Sequence, residues 1–390
     1  MSKKASEFGT KPLSALLKKQ AIPASIGILV LSIYGIIDTI FIGKFIDVYA
    51  IGAVTIVLPI QFLMAGVGMA IGVGGSSIIS RALGAGEPEK ANLTFTNMVL
   101  MVLMFIVLFF FLGEYFTTEI LSLFGAEGKV LQPSIEYFEI LLLGIPFLTW
   151  AMMSNTVIRA EGYPKTSMIV FIVPAIVNLV LDPILIVYYD MGIEGAAWAT
   201  SLSFVACALY TLYFFIFGKS ELKVQLKGLR FDKKIVGEIS SLGSVTLARQ
   251  SAVSILSMVL NNSLVVHGGE FYLGVYGIIN RVLMFANFPV LGITQGFVPI
   301  AGFNFGAKNW KRTLDLLKLS IKSATIIALI IFTFLMTCAQ PIVSLFTNDA
   351  DLIAETVPAM RLVFIATPLI ALNLIVSAYY QAIGKAVPAL

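Results

Sequence analysis

Histidine occurs once in this chain and cysteine twice. One imidazole, His267, cannot build a multi-histidine metal site, and a histidine-based acid–base constellation is equally out of reach. Cys207 and Cys338 each lie in an apolar run, which leaves no CxxC redox or zinc motif and no disulfide framework, and both read as packing residues. Charge is nearly as scarce, at 12% of 390 residues against 58% hydrophobic. A mean hydropathy of +0.94 is too apolar for a soluble domain to cover with polar surface. The Gly-rich stretch GVGMAIGVGG from Gly66 to Gly75 has neither strand context nor an acidic partner, so it reads as close helix packing rather than a dinucleotide fold. No P-loop lysine accompanies it. Without a nucleophile and base, or a metal-ligand set, the chain is not expected to be an enzyme or to need a cofactor.

What the sequence does hold is long apolar runs. Their length of about 20 residues suits membrane-crossing α-helices, not the short alternating segments of a β-barrel. The expected fold class is therefore an all-α polytopic membrane protein, with ten spans near residues 20–43, 51–80, 92–113, 133–157, 166–188, 195–217, 236–266, 271–303, 314–337 and 357–383. The N-terminus carries Lys3, Lys4, Lys11, Lys18 and Lys19 but leads into a long span with no cleavage pattern, so it is not read as a signal peptide. Segments preceding odd-numbered spans are rich in Lys and Arg, including Arg81, Lys90, Arg159, Lys165 and the cluster from Lys219 to Lys234. The alternate loops are mainly acidic. By the positive-inside rule both termini are cytoplasmic, and the net charge of +4 needs no nucleic-acid partner.

The chain also repeats itself. At an offset of 222 residues, Gly84-Ala85 aligns with Gly306-Ala307, Leu121-Ser122-Leu123-Phe124 with Val343-Ser344-Leu345-Phe346, and Pro146 with Pro368. One offset held over so long a stretch signals internal duplication. The expected organisation is an N-terminal lobe at residues 1–218 with six spans, a basic cytoplasmic linker at 219–234, and a C-terminal lobe at 235–390 with four. An even number of spans before the linker makes the two repeats parallel. The same arithmetic leaves the second lobe two spans short of the first.

Two aspartates stand in this apolar background: Asp38 in LSIYGIIDTIFIG and Asp182 in NLVLDPILI. A carboxylate in a lipid-embedded helix costs about 3 kcal/mol unless something compensates it, which marks it as a functional candidate. Tyr34 and Asn178 each lie four residues before one of these acids, on the same helix face. Asp182 and Thr200 are each nine residues from the turn near Met191, or about 13 Å along their helices. Asp38 is equally far from the loop at Asp47. One cluster of Asp38, Asn178, Asp182 and Thr200, with Tyr34 alongside, is therefore expected in the outer half of the bilayer. Pro174 and Pro183 are expected to kink the fifth span and free backbone oxygens. Such a donor set suits Na+ or another hard cation, and two carboxylates at close quarters equally suit a shared H+. The alternative is a satisfied structural hydrogen-bond network. A substrate path is sought among Gln61, Met64, Met152, Asn261 and Arg281, with Arg249 and Gln295 also at apparent membrane depth.

Taken together, YGIIDTIFIG in span one, PEKAN and NWKRT at matching ends of the duplicated spans, RAEGYPK after span four and NLVLDPILI in span five resemble the multidrug and toxic compound extrusion (MATE) transporters. The likeness is to the bacterial and archaeal branch with acidic residues in its first lobe. The resemblance covers the whole chain and implies a twelve-span fold, of which the last two are expected to be missing here. It implies that Asp38, Asn178, Asp182, Thr200, Tyr34 and Asn155 form a cation site and that Na+ or H+ drives efflux of amphipathic, cationic organic compounds by alternating access. Asn155 fits the depth estimate poorly, being four residues from Arg159 at the cytoplasmic end. The expected setting is a monomer in the cell (inner) membrane, whose partners are a small substrate and the bilayer. A lipid or lipid-linked oligosaccharide flippase of the same superfamily is the alternative, which Arg249 and Arg281 keep open.

Overall fold

The computed structural model describes residues 5–46, 48–225, 231–268, 270–347 and 349–390. Within them it describes all side chains except those at 36, 39, 40, 43, 44, 48, 254, 257, 258, 261, 262, 265, 267, 268, 270 and 273. Among the described residues the fold is helical throughout. A single turn, α1 (Glu7–Thr10), leads into α2 (Leu13–Phe45), α3 (Val48–Ala85), α4 (Pro88–Tyr115), the short α5 (Thr117–Leu123) and α6 (Leu131–Ala160). Then come α7 (Pro164–Asp182), continued by a π-helical turn over Pro183–Tyr188, and α8 (Gly192–Ile216). After the polar connection follow α9 (Lys233–Gly268), α10 (Glu270–Gly306), α11 (Trp310–Thr337), the short α12 (Ala339–Ser344), α13 (Ala350–Phe364) and α14 (Thr367–Ala382).

Among the described residues eight helices are long and apolar enough to cross a membrane, and nine if α13 and α14 are one bent span. Two of the ten expected spans differ from the expectation. The seventh corresponds to α9, which has the length to cross but is the most polar of the long helices, containing Lys233, Lys234, Glu238, Arg249 and Gln250, and is not among the eight. The tenth is not one helix: α13 and α14 meet at a bend of 40°. Pro368 stands in the first turn of α14, where it has no N–H to donate back across the break.

The duplication reaches the elements themselves. α4 and α11 both have 28 residues, and both these long helices and the short helices α5 and α12 begin 222 residues apart. The packing divides by depth. At the basic end, which carries Arg81, Arg159 and Lys308, one apolar core is shared by both halves, with Ile78, Ile79 and Leu83 of α3 against Phe297, Ile300 and Phe303 of α10 and Ala378 of α14. At the opposite end the core splits in two. One part, around Val57, Tyr137, Leu141 and Ile193, belongs to the first half alone, and the other, around Val275, Val282, Val343 and Phe364, to the second alone. The two halves are thus joined at the basic end and separate at the other.

Two glycines make the junction possible. A Cβ on Gly84 would strike the carbonyl oxygen of Phe303, and one on Gly306 would strike that of Arg81, so two helix backbones lie in contact there. The contact is reciprocal, each glycine meeting the residue three before the other glycine. Polar ties cross the same junction: Arg81 donates to Glu238 (2.6 Å), the Ser77 hydroxyl to the carbonyl of Gln381 (2.6 Å), and Arg159 to Gln295.

Candidate ion site between α2, α6, α7 and α8

α7 runs as a regular helix until Asp182, its last α-helical residue. Pro183 lacks the N–H that would continue the ladder, and the next turn widens into π-helix. Asp182 therefore stands where the backbone is irregular, and it is fully buried. One turn before it, Asn178 is also buried and donates from Nδ2 to the hydroxyl of Thr200 on α8 (3.3 Å). The hairpin of α7 and α8 thus brings Asn178, Asp182 and Thr200 to one level. Asp38, half-buried on α2, lies within side-chain interaction range of both Asp182 and Asn178. Tyr34, one turn earlier on α2, reaches the Thr200 hydroxyl.

The structure thus assembles five of the six expected ion-site residues. Asn155 stands apart. Its Nδ2 donates to the carbonyl of Ser167 (2.7 Å) and its Oδ1 accepts from Arg159 (3.1 Å). Ser167 precedes Asn178 by eleven residues of α7, about 16 Å. Its polar atoms serve the basic end, where the Arg159 guanidinium is buried against the Ser167 hydroxyl (2.8 Å) and Gln295. Conversely, Tyr137 of α6 belongs with the cluster although sequence reasoning passed it over. It is buried, and its ring approaches Asp38, Asp182 and Thr200. The depth argument could have found it, since Tyr137 lies six residues into its helix, about 9 Å from the end opposite the basic one.

The electrostatics are one-sided. Both carboxylate oxygens of Asp182 and Oδ1 of Asp38 are buried with no hydrogen-bond partner. Among the described residues no lysine or arginine forms an ion pair with them: the pairs involve Glu7, Glu87 and Glu238, all outside this cluster. A buried ionised carboxylate without a counter-charge costs several kcal/mol, and two facing each other cost more. A shared proton or a small cation would offset that cost. Carboxylate, amide and hydroxyl oxygens are the ligands a hard cation takes.

The residues considered for a substrate path do not converge. Met64 is buried and lines a small apolar cavity inside the first half, with Phe105, Phe109, Leu142 and Thr149, so its side chain packs in a core. Met152 is partly buried against the same core, and Gln61 is half-buried. Arg281 is exposed, on a stripe of α10 that includes Gly277 and Met284. The side chain of Asn261 lies outside the described residues. Arg249, on α9, donates to the Ser377 hydroxyl of α14 (2.7 Å), a contact within the second half.

The chain and its fold have known counterparts. The MatE family profile matches residues 23–184 and again 245–390, two matches whose starts are 222 residues apart. Among characterised proteins, the multidrug export protein MepA of Staphylococcus aureus strain MSSA476 is 29% identical over 378 residues, covering 97% of this chain and 83% of that one. MepA of Staphylococcus saprophyticus is 27% identical over 365 residues, covering 94% and 80%. Among solved structures, the outward-facing conformation of a multidrug resistance MATE family transporter of the MOP superfamily superposes with a TM-score of 0.93 at 25% identity, covering all of this chain and 87% of that one. Twice-matched profile, relatives along nearly the whole length and a shared fold place the chain in one family: it belongs to the MatE family of multidrug and toxic compound extrusion transporters.

Proposed function

We propose that this transporter is a multidrug efflux antiporter driven by Na+ or H+, exporting amphipathic, cationic organic compounds by alternating access. The observation that carries the coupling is the pair Asp38 and Asp182, with three buried carboxylate oxygens lacking any partner and Asn178, Thr200 and two tyrosines around them. An inward-moving ion or proton neutralises the pair. α2 then draws toward the α7–α8 hairpin, the first-lobe cavity changes shape, and bound compound leaves outward. The multidrug export names of the relatives support the substrate class and favour efflux of drugs over the flippase alternative.

The finer architecture belongs to the same proposal. Residues 1–218 and 235–390 act as two parallel lobes, six spans and four with α9 as the seventh, joined by a cytoplasmic linker at 219–234. The chain works as a monomer in the cell membrane with its basic end and both termini in the cytoplasm. The separation of the two cores at the other end then corresponds to an outward-facing state. Purified protein in vesicles loaded with a cationic dye tests the coupling. Asp38→Asn and Asp182→Asn keep size and remove charge, and each is expected to lower ion-driven efflux by about 100-fold, a loss of roughly 2.7 kcal/mol. Full ion-driven efflux in both variants would overturn the assignment.

A further inference from the structure

The segment ahead of Pro12 takes part in neither the duplication nor the acidic cluster, yet it is firmly seated. α1 is one turn, after which the chain reverses at Lys11 and Pro12 into α2. Phe8 is almost fully buried and belongs to the core shared by the two halves. Its ring meets Phe303 of α10 edge-on, centroids 6.0 Å apart. Its carbonyl oxygen accepts from Asn304 Nδ2 (3.1 Å) and from Nε and Nη2 of Arg312 (3.2 and 3.1 Å), and Arg312 also donates to the carbonyl of Lys11. On the other side, the Glu7 carboxylate accepts from Lys19 of α2 (2.7 Å) and pairs with Lys11 (3.1 Å). The segment is thus tied by a side chain to α2 and by a ring and two carbonyls to α10 and α11.

We propose that residues 5–11 are a strap that latches the two halves together at the basic end. Phe8 packs against Phe303, the residue whose backbone touches Gly84, so the plug lies beside one of the points where the backbones of the two halves meet. Parting them there moves α10 away from α3 and takes the cup formed by Phe303, Asn304 and Arg312 with it. α2, which carries the strap, also packs on α10 through Ala21 and Ser25 at Gly292 and Gly296, so where α2 stays with the first half the strap must release that cup. Beside the ties of Arg81 to Glu238, Ser77 to Gln381 and Arg159 to Gln295, three polar atoms of the junction, Gln20 Oε1, Ser80 Oγ and Asn304 Oδ1, are buried without hydrogen-bond partners. The apolar plug and its bonds to carbonyls add to the closure that those ties and the shared core provide, and they can release without unfolding either bundle.

The inference is independent of what the transporter carries, and its test needs neither substrate nor ion gradient. In the full chain carrying Cys338→Ser, Ser80→Cys places a thiol in the sealed junction facing Gly302, while the buried Cys207 of the first half reports loosening of the bundle. Maleimide labelling of each cysteine is followed by peptide mass spectrometry. Phe8→Ala and Arg312→Gln are expected to speed labelling at position 80 about tenfold with Cys207 unchanged, as a shift toward the open junction requires. A rate at position 80 within about twofold of the parent in both variants, or acceleration of Cys207 in step with it, overturns the latch. Arg312→Gln leaves the Phe8 plug in place and decides the matter alone should Phe8→Ala fail to fold.

Discussion

At the scale of single residues, the groups around the acidic pair differ in what their loss should do. Tyr137 offers a hydroxyl beside Thr200 and buries a ring among Leu141 and Ile193. Tyr137→Phe keeps the ring and removes the hydroxyl, so packing should survive while the ion site loses a supporting contact. The expected result is an ion concentration for half-maximal dye efflux raised about tenfold at unchanged maximal rate, the size of effect seen when an outer partner of a ligand is lost. An unchanged ion dependence would exclude Tyr137 from the site. Glu161, outside the spans in RAEGYPK, makes a different prediction. Burial raises its carboxyl from 4.5 to about 7, although the backbone N–H of Glu221, the Ser220 hydroxyl and the N–H of Leu222 favour the ionised form. A carboxyl whose folded value is raised holds a proton that the unfolded one has lost, so the contribution of Glu161 to the stability of the fold is fullest below pH 4.5. It weakens as pH climbs to about 7 and is level beyond. The thermal midpoint of the wild-type chain, compared with that of Glu161→Gln at each pH, should fall as pH rises through that window and keep a constant offset above it.

At the scale of elements, the junction between α7 and its π-helical continuation is the local feature that sets Asp182 apart. Pro183→Ala restores an N–H and improves helix propensity, which should let the α-ladder run on and rotate the turn that follows Asp182. The expected outcome is unchanged or higher thermal stability together with weaker ion-dependent efflux. Equal efflux in the variant would show that the wide turn is incidental to the site. The hairpin arithmetic that put Asp182, Thr200 and Asp38 at one depth used only helix rise and the position of the turn, and for that reason it could be read from sequence. Helix pairing across the bundle could not. It placed Tyr137 of α6 in the cluster and sent the amide of Asn155 to Ser167 and Arg159 instead. The bend between α13 and α14 was hidden for a related reason. Pro146 and Pro368 occupy the same position in the repeat, yet α6 runs unbroken past Pro146. α6 is packed closely against both α3 and α8, whereas Leu362, Ile365 and Leu369 around the second proline are largely exposed. A proline that neighbours hold straight in one copy bends the helix in the other, and only packing distinguishes them.

At the scale of the whole molecule, the repeat places two glycines so that each allows the other half's backbone to approach. Because Gly84 and Gly306 both face main-chain oxygens rather than flexible side chains, a methyl group at either site cannot be absorbed by a rotamer change. The helices must move apart there. Overpacking of this kind costs about 1–3 kcal/mol, which for an equilibrium between joined and parted halves amounts to a shift of roughly 5- to 150-fold. Alanine is also the better helix former, so each half should be no less stable alone. Gly84→Ala and Gly306→Ala are therefore expected to favour the state open at the basic end, with faster labelling of Ser80→Cys and slowed efflux, while Cys207 stays protected. Two outcomes would count against a shared hinge-like junction: a thermal melting point falling with no gain in labelling, or a gain in one variant only. In the first case the contact is ordinary core packing. In the second the reciprocal geometry does not act as a unit. The double variant sharpens the distinction, since two methyls that push on one junction should add less than the sum of their separate effects once the halves have already parted.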